Sequence, residues 1–327
     1  MTTQAIRIKE YGGPEVMELT AFDPGQPGPG EVRLRQTHIG VTYIDVYFRT
    51  GLYPAAGLPF TPGVEGAGEV VAVGEGVTGL APGQRVAYAA RPPGAYAEER
   101  LIAANRLVPL PEGIDNGAAA AMMLKGMTAH MLLECVHAVQ PGETVLIHAA
   151  AGGVGLIACQ WAKALGATVI GTVGSPEKAE LAAAHGCHHP LLYREVDIVE
   201  AVREITGGEG VAAAYDSVGA DTLEASLAAL KKRGILISFG QSSGKPPAVD
   251  PGQLAANGSL YLTRPTLFDY IDTPDELQIA AKALFDRVLR GEVAVRTDQT
   301  LPLAEAAAAH RALEARATTG STVLTTG

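Results

Sequence analysis

The segment from Thr144 to Gly166 joins an expected strand, Val145–Ala149, with the apolar run Val145–Ile147, to a helical stretch through Gly152, Gly153 and Gly155. Apolar residues that run continuously, without alternation, mark a strand covered on both faces. Glycines at such a turn let the backbone approach a ligand and let the helix pack against the strand. The helix then begins with unpaired N–H groups and the positive end of its dipole, which suits a pyrophosphate. The pattern is Ala150-x-Gly152-Gly153-x-Gly155, and a second strand at Thr168–Thr172 completes the context that the motif requires. A dinucleotide site is predicted, with Gly152, Gly153, Val154 and Gly155 at the phosphates.

Downstream of Gln140-Pro-Gly142 the pattern alternates. Strands are expected near 145–149, 168–173, 211–216, 234–239 and 258–263, and helices near 154–165, 176–185, 197–206 and 221–232. Ser175 as N-cap, Pro176 at the first helical position and Gly186 beyond the end delimit the second of these helices. The alternation implies an α/β fold with a doubly wound parallel sheet. Upstream, Glu31–Arg35, Gly68–Val73 and Arg85–Ala89 read as short strands between Pro/Gly turns, as in a barrel-like β domain. Residues 116–139 read as mostly helical, with a possible break at Lys125–Thr128. Thr273-Pro-Asp-Glu276 is a capping box opening a helix to about Arg290. Pro302–Ala317 reads as a further helix and Ser321–Thr325 as a strand. The predicted division is a β-rich part, 1–124 plus 266–327, with a sheet domain, 125–265, inserted into it.

The end of the second strand distinguishes between nucleotides. An acid about 20 residues after the glycine turn holds the ribose of NAD; here that place reads Thr172-Val-Gly174-Ser175, followed by Lys178. Small residues and a cation favour NADP(H), although Lys178 also reads as a solvated helix-face lysine. Cys135, Cys159 and Cys187 lack paired spacing, and His148, His188 and His189 read as structural or solvent-facing, so no metal site is expected. A net charge of −10 argues against nucleic acid. The lack of a long apolar run and of a signal region makes a cytoplasmic protein without a membrane span the expectation.

The chain resembles the zinc-free quinone oxidoreductases (zeta-crystallin-like) of the medium-chain dehydrogenase/reductase superfamily. The likeness rests on Gly40–Tyr47, Arg49–Tyr53, Pro62–Gly68, Leu124–Thr128, His148–Gly155, Tyr215–Gly219, Ser238–Gly240, Gly258–Pro265 and Glu314–Thr318. The Cys and the Gly-His-Glu triplet of the zinc enzymes are replaced by Val41–Asp45 and Gly63-Val-Glu65. The resemblance implies a GroES-like, partly open barrel around the nucleotide domain, and reduction of small quinones by NADPH in the interdomain cleft. It places Thr128 near the nicotinamide ribose or phosphates, and Gly153 and Val154 at the pyrophosphate. Gly174, Ser175, Lys178, Tyr193 and Arg316 would surround the 2′-phosphate, Ser217 and Val218 the adenine ribose, and Phe239 and Gly240 the nicotinamide. Thr42 stands where the family commonly has Asn, and Tyr47 and Tyr53 are candidates to hold a quinone oxygen or to pack. A homodimer through the edge strand Ser259–Thr263 is implied. Reduction of α,β-unsaturated carbonyls and a nucleotide-regulated crystallin or RNA-binding role are the alternatives.

Overall fold

The computed structural model describes residues 2–327 and divides into two compact units. The first ends at Lys125 and resumes over Ile271–Phe285 and Val295–Gly327; the second comprises Gly126–Tyr270 and Asp286–Ala294. Residues 266–270 and 286–294 thus group with the second unit, whereas the sequence assigns them to the β-rich part.

In the first unit β1 (Thr3–Ile8) and β2 (Met17–Phe22) form an antiparallel pair. A seven-stranded sheet is built from β3 (Glu31–Val41), β4 (Glu65–Val73), β5 (Arg85–Ala89), β6 (Glu99–Ala103) and β7 (Val108–Pro109), together with two strands from the far end of the chain. A short helix, α1 (Tyr43–Arg49), directly follows β3. Helix α2 (Asn116–His130) runs without a break through Gly126 and passes into a π-helical turn, Met131–Val136, so the expected interruption at 125–128 does not occur. Buried Ala119–Met123 and Met127 supply enough tertiary contact to offset the weak helix propensity of one glycine.

The second unit is the parallel α/β sheet that its apolar runs predict. Its elements are β8 (Thr144–Ile147), α3 (Gly153–Ala164), β9 (Thr168–Val173), α4 (Pro176–Ala184), β10 (His189–Leu192), α5 (Ile198–Ile205), β11 (Val211–Asp216), α6 (Leu223–Ala228), β12 (Leu230–Ser238), α7 (Pro251–Ala256), β13 (Tyr261–Thr263) and α8 (Leu267–Tyr270). The order is β10-β9-β8-β11-β12-β13, every pair parallel, so the order reverses between β8 and β11. Ligands bind at such a switch point, outside the carboxyl ends of the strands. Every residue of β11 is buried, and Leu146, Ile170, Ala214 and Leu236 centre the core. Helix α6 ends earlier than expected, because Leu230 already pairs with Val211 and starts β12. The last expected strand, 258–263, shortens to β13.

The tail returns to the first unit. Helix α9 (Pro274–Leu289) opens as the capping box predicts: the Thr273 N–H donates to Glu276 Oε2 at 3.0 Å, and the Glu276 N–H to Thr273 Oγ1 at 3.3 Å. The expected helix 302–317 is shorter. Its first residues belong to β14 (Thr297–Pro302) and a single 3-10 turn, and α10 spans Ala306–Glu314. β15 (Ser321–Thr325) lies between β14 and β3, antiparallel to β3.

Candidate functional site

In the second unit most of the expected nucleotide residues follow the carboxyl ends of the strands, whereas Thr128 lies on α2 and Arg316 in the first unit. Gly152 is the N-cap of α3 and, having no side chain, makes no side-chain capping hydrogen bond to the first N–H groups of this 12-residue helix. A Cβ on Gly155 would lie 2.3 Å from the Ala149 carbonyl oxygen, so that glycine is needed for the helix to pack; on Gly152 the nearest atom is 3.2 Å away. The two glycines therefore differ in purpose: Gly155 admits the helix, and Gly152 leaves its positive end open to an anion.

Beyond β9 the backbone passes Gly174 to Ser175, whose hydroxyl accepts the Lys178 N–H at 3.4 Å and caps α4. A Cβ on Gly174 would come within 3.0 Å of Tyr193 Oη, and the Tyr193 N–H donates to the Val173 carbonyl at 3.2 Å. Gly174, Ser175, Lys178 and Tyr193 thus belong to one small region; the strand end itself carries no acid, and the carboxylate of exposed Glu177, on the first turn of α4, hydrogen-bonds Ser175, which holds its pKa below the usual carboxylate value. The Arg194 guanidinium lies over the Tyr193 ring at 5.8 Å and adds a cation that sequence reasoning overlooked. Arg316, in the first unit after α10, is exposed and has a left-handed backbone, φ 55°. Thr128 is half-buried on α2.

Ser217 and Val218 follow β11, and Phe239 and Gly240 follow β12. Their loops are tied together: the Asp216 carbonyl accepts the Phe239 N–H at 2.8 Å, and the Asp216 carboxylate accepts those of Val218 (2.8 Å) and Gly219 (3.0 Å). Arg264, just past β13, donates from Nη1 to the carbonyls of Ser238 (3.0 Å) and Gly240 (2.8 Å) and braces the same loop. Asp216 and Arg264 lie inside stretches that carried the family likeness, yet only their folded positions reveal these roles.

The first unit holds Thr42, Tyr47 and Tyr53. Thr42 is the N-cap of α1; its N–H and hydroxyl donate to Asp45 Oδ2 at 3.0 and 3.3 Å. Tyr47 and Tyr53 meet edge-on with centroids 5.1 Å apart, and the Tyr53 N–H donates to the Tyr47 carbonyl at 3.0 Å. Tyr47 is buried and Tyr53 half-buried, so both also pack.

A buried chain of polar groups supports α1 from behind. Arg49 forms a two-pronged pair with Glu314, at 2.9 and 2.7 Å, and donates to His310 Nδ1 at 3.0 Å. A guanidinium only donates, so His310 carries its hydrogen on Nε2 and donates to Tyr96 Oη, 3.0 Å away. Tyr96 in turn donates to Asp45 Oδ2 at 3.1 Å. Asp45 Oδ1 is buried without a partner. Burial, with the charge of Glu65 adding to it, pushes the Asp45 carboxyl up to about 7 against its donors and Lys125. Burial and then the Arg49 charge push His310 down to about 3. Glu65, at the place of the zinc enzymes' Glu, is paired with the Lys125 ammonium and accepts the Leu124 N–H at 2.8 Å. Among the described residues no group of three His, Cys, Asp or Glu side chains is arranged to hold a metal ion, and no helix is long and apolar enough to cross a membrane.

The alcohol dehydrogenase GroES-like domain matches residues 28–112, and the zinc-binding dehydrogenase family matches residues 153–281. A quinone oxidoreductase of Pseudomonas aeruginosa is 53% identical over 98% of both chains. A 2-haloacrylate reductase of a Burkholderia species is 46% identical over 97% of each. The crystal structure of Escherichia coli quinone oxidoreductase complexed with NADPH superposes with a TM-score of 0.96 at 47% identity, covering 98% of this chain and 99% of that one. The GroES-like and Rossmann-type folds are therefore those expected from the sequence, and the chain belongs to the quinone oxidoreductase family of the medium-chain dehydrogenase/reductase superfamily.

Proposed function

We propose that the protein is an NADPH-dependent reductase of small quinones. The observation that carries the cofactor is the β9 end: Gly174 lies under the Tyr193 hydroxyl, Ser175 and Lys178 stand beside it, and the strand end lacks the ribose-holding acid of an NAD site, Glu177 lying exposed on the first turn of α4. The uncapped N-terminus of α3 fits the pyrophosphate, with Gly152, Gly153 and Val154 presenting backbone. Ser217 and Val218 take the adenine-ribose end, Phe239, Gly240 and Thr128 the nicotinamide side, and Arg316 joins the phosphate group.

NADPH, when bound, supplies a hydride; the chain's own residues orient the partners and exclude water. Thr42, Tyr47 and Tyr53 contact the acceptor, with a tyrosine hydroxyl donating to a quinone oxygen. A quinone is electrophilic enough to need no Lewis acid. The Asn-to-Thr exchange at position 42 leaves one hydroxyl donor, already directed at Asp45, so substrate contact falls chiefly to the tyrosines. The protein acts in the cytoplasm, as a homodimer joined at the edge strand that includes β13.

The test is oxidation of NADPH, and separately of NADH, by a small ortho-quinone in chelator-treated buffer. Fast turnover with NADPH, slow turnover with NADH and indifference to the chelator are expected. A second reading follows from the 2-haloacrylate reductase relative: an activated carbon–carbon double bond as acceptor. Turnover of 2-chloroacrylate or a simple enone exceeding that of quinones would favour it.

A further inference from the structure

The mechanism above leaves unused a set of buried polar groups in the second unit. His148 follows β8 and is 1% exposed. Its Nδ1 lies 3.0 Å from Thr172 Oγ1 on β9, and its Nε2 lies 2.9 Å from Ser226 Oγ on α6. Ser226 donates to Asp216 Oδ2 at 3.0 Å, at the end of β11, and Thr222 Oγ1 donates to the same carboxylate at 2.8 Å. Donor chemistry orders this chain. The carboxylate only accepts, so Ser226 spends its proton there and receives one from the imidazole; Nδ1 then accepts from Thr172. His148 is a neutral Nε2–H imidazole, and burial, opposed by the Asp216 charge, keeps its pKa low.

The residues so linked are the ones from which the nucleotide loops spring. Thr172 precedes Gly174 and Ser175 by two and three positions, and its carbonyl accepts the Ala150 N–H at 3.0 Å. His148 precedes Ala149, held in the left-handed region at φ 53° as the glycine turn begins. Asp216 holds the N–H groups of Val218 and Gly219 through its side chain and that of Phe239 through its carbonyl.

We infer that His148 is a positioning residue for the dinucleotide: its imidazole clasps the ends of β8, β9 and β11 through Thr172, Ser226 and Asp216, and so sets their three loops in one register. The inference rests on the proposed use of NADPH. A clasp of this kind acts on binding and leaves the hydride step alone, so it separates affinity from turnover.

The experiment uses the full-length protein with Thr172→Val, Thr172→Ser and Ser226→Ala. Valine matches threonine in shape and removes only the hydroxyl, while serine restores it. Thr172→Val and Ser226→Ala are expected to weaken NADPH, titrated by its fluorescence, about tenfold each. Turnover at saturating NADPH should change by less than about twofold, and Thr172→Ser should bind as the wild type does. Nitrogen-15 shifts of the wild-type His148 ring should show Nε2 protonated and Nδ1 bare. Variants that lose only melting temperature and keep wild-type NADPH affinity overturn the inference, as does the opposite tautomer. Failure of the wild type itself to bind NADPH falls on the functional reading, and takes the inference with it; wild-type NADPH binding that the variants match falls on the clasp alone.

Discussion

Asp45 sits fully buried with three donors on one oxygen and none on the other. Its carboxyl is raised to about 7 from a normal value near 4. The folded state therefore holds the proton more tightly than the unfolded chain, and this residue's contribution to stability is full below about pH 4 and declines as pH rises to about 7. Asp45→Asn cannot ionise. Its stability relative to the wild type, measured by denaturant unfolding, should improve steadily across that window; a constant difference would mean that Asp45 is ionised throughout. His310 contributes with the opposite sign, because its lowered pKa disfavours the fold as pH falls below about 6.5. In the 2′-phosphate region, Lys178→Ala combined with Arg316→Ala should weaken NADPH about tenfold to a hundredfold while NADH is little affected, together about 1.4–2.8 kcal/mol, since cations at the surface give less than the full value of a charge-assisted hydrogen bond. Equal losses for both nucleotides, in paired titrations, would show that the phosphate lies elsewhere.

At the level of the elements, the β8–α3 turn makes a prediction that separates packing from binding. Gly155→Ala pushes a methyl group into the backbone carbonyl of Ala149, which has no room to yield, and should cost about 1–3 kcal/mol of stability in urea unfolding. Gly152→Ala brings its methyl only to 3.2 Å from the same carbonyl oxygen, a tight contact but not a clash, so it should cost less stability than Gly155→Ala while NADPH affinity falls. The same turn shows what local sequence conveys. Helix starts at Ser175 and Thr273 are legible because a cap and its partner lie three residues apart. The apolar runs of β8, β9 and β11 are legible because both faces are covered. β10 escapes notice because Pro190 and the half-exposed Leu191 and Leu192 make a poor strand signal, acceptable only at a sheet edge. β14 reads as polar for the same reason. The glycines and small residues of the candidate site stand out along the chain, but the His148 clasp joins residues 24 and 78 positions apart. The chain linking Arg49 to His310 spans 261. Only the folded arrangement tells those histidines from idle ones.

For the molecule as a whole, two sheet edges matter. β10 closes one end of the parallel sheet and β13 the other, where Tyr261 is 60% exposed and Leu262 38%. An edge with bare backbone and apolar side chains invites a second copy. If the proposed homodimer forms at this edge, Leu262→Lys should leave a monomer by light scattering with NADPH affinity unchanged; a wild-type mass of one subunit would remove the premise.

The first unit's sheet takes its middle from opposite ends of the chain, since β15 lies between β14 and β3. A ribosome adding about 5–20 residues per second has long released β3 before Ser321–Thr325 exist. The parallel sheet, drawn almost wholly from residues 126–270, has all its strands well before then. During synthesis β6 already covers Glu31–Arg35 on one flank of β3, but His38–Val41 on that flank waits unpaired until β15 exists, and the finished nucleotide unit shortens the search by which that neighbour arrives.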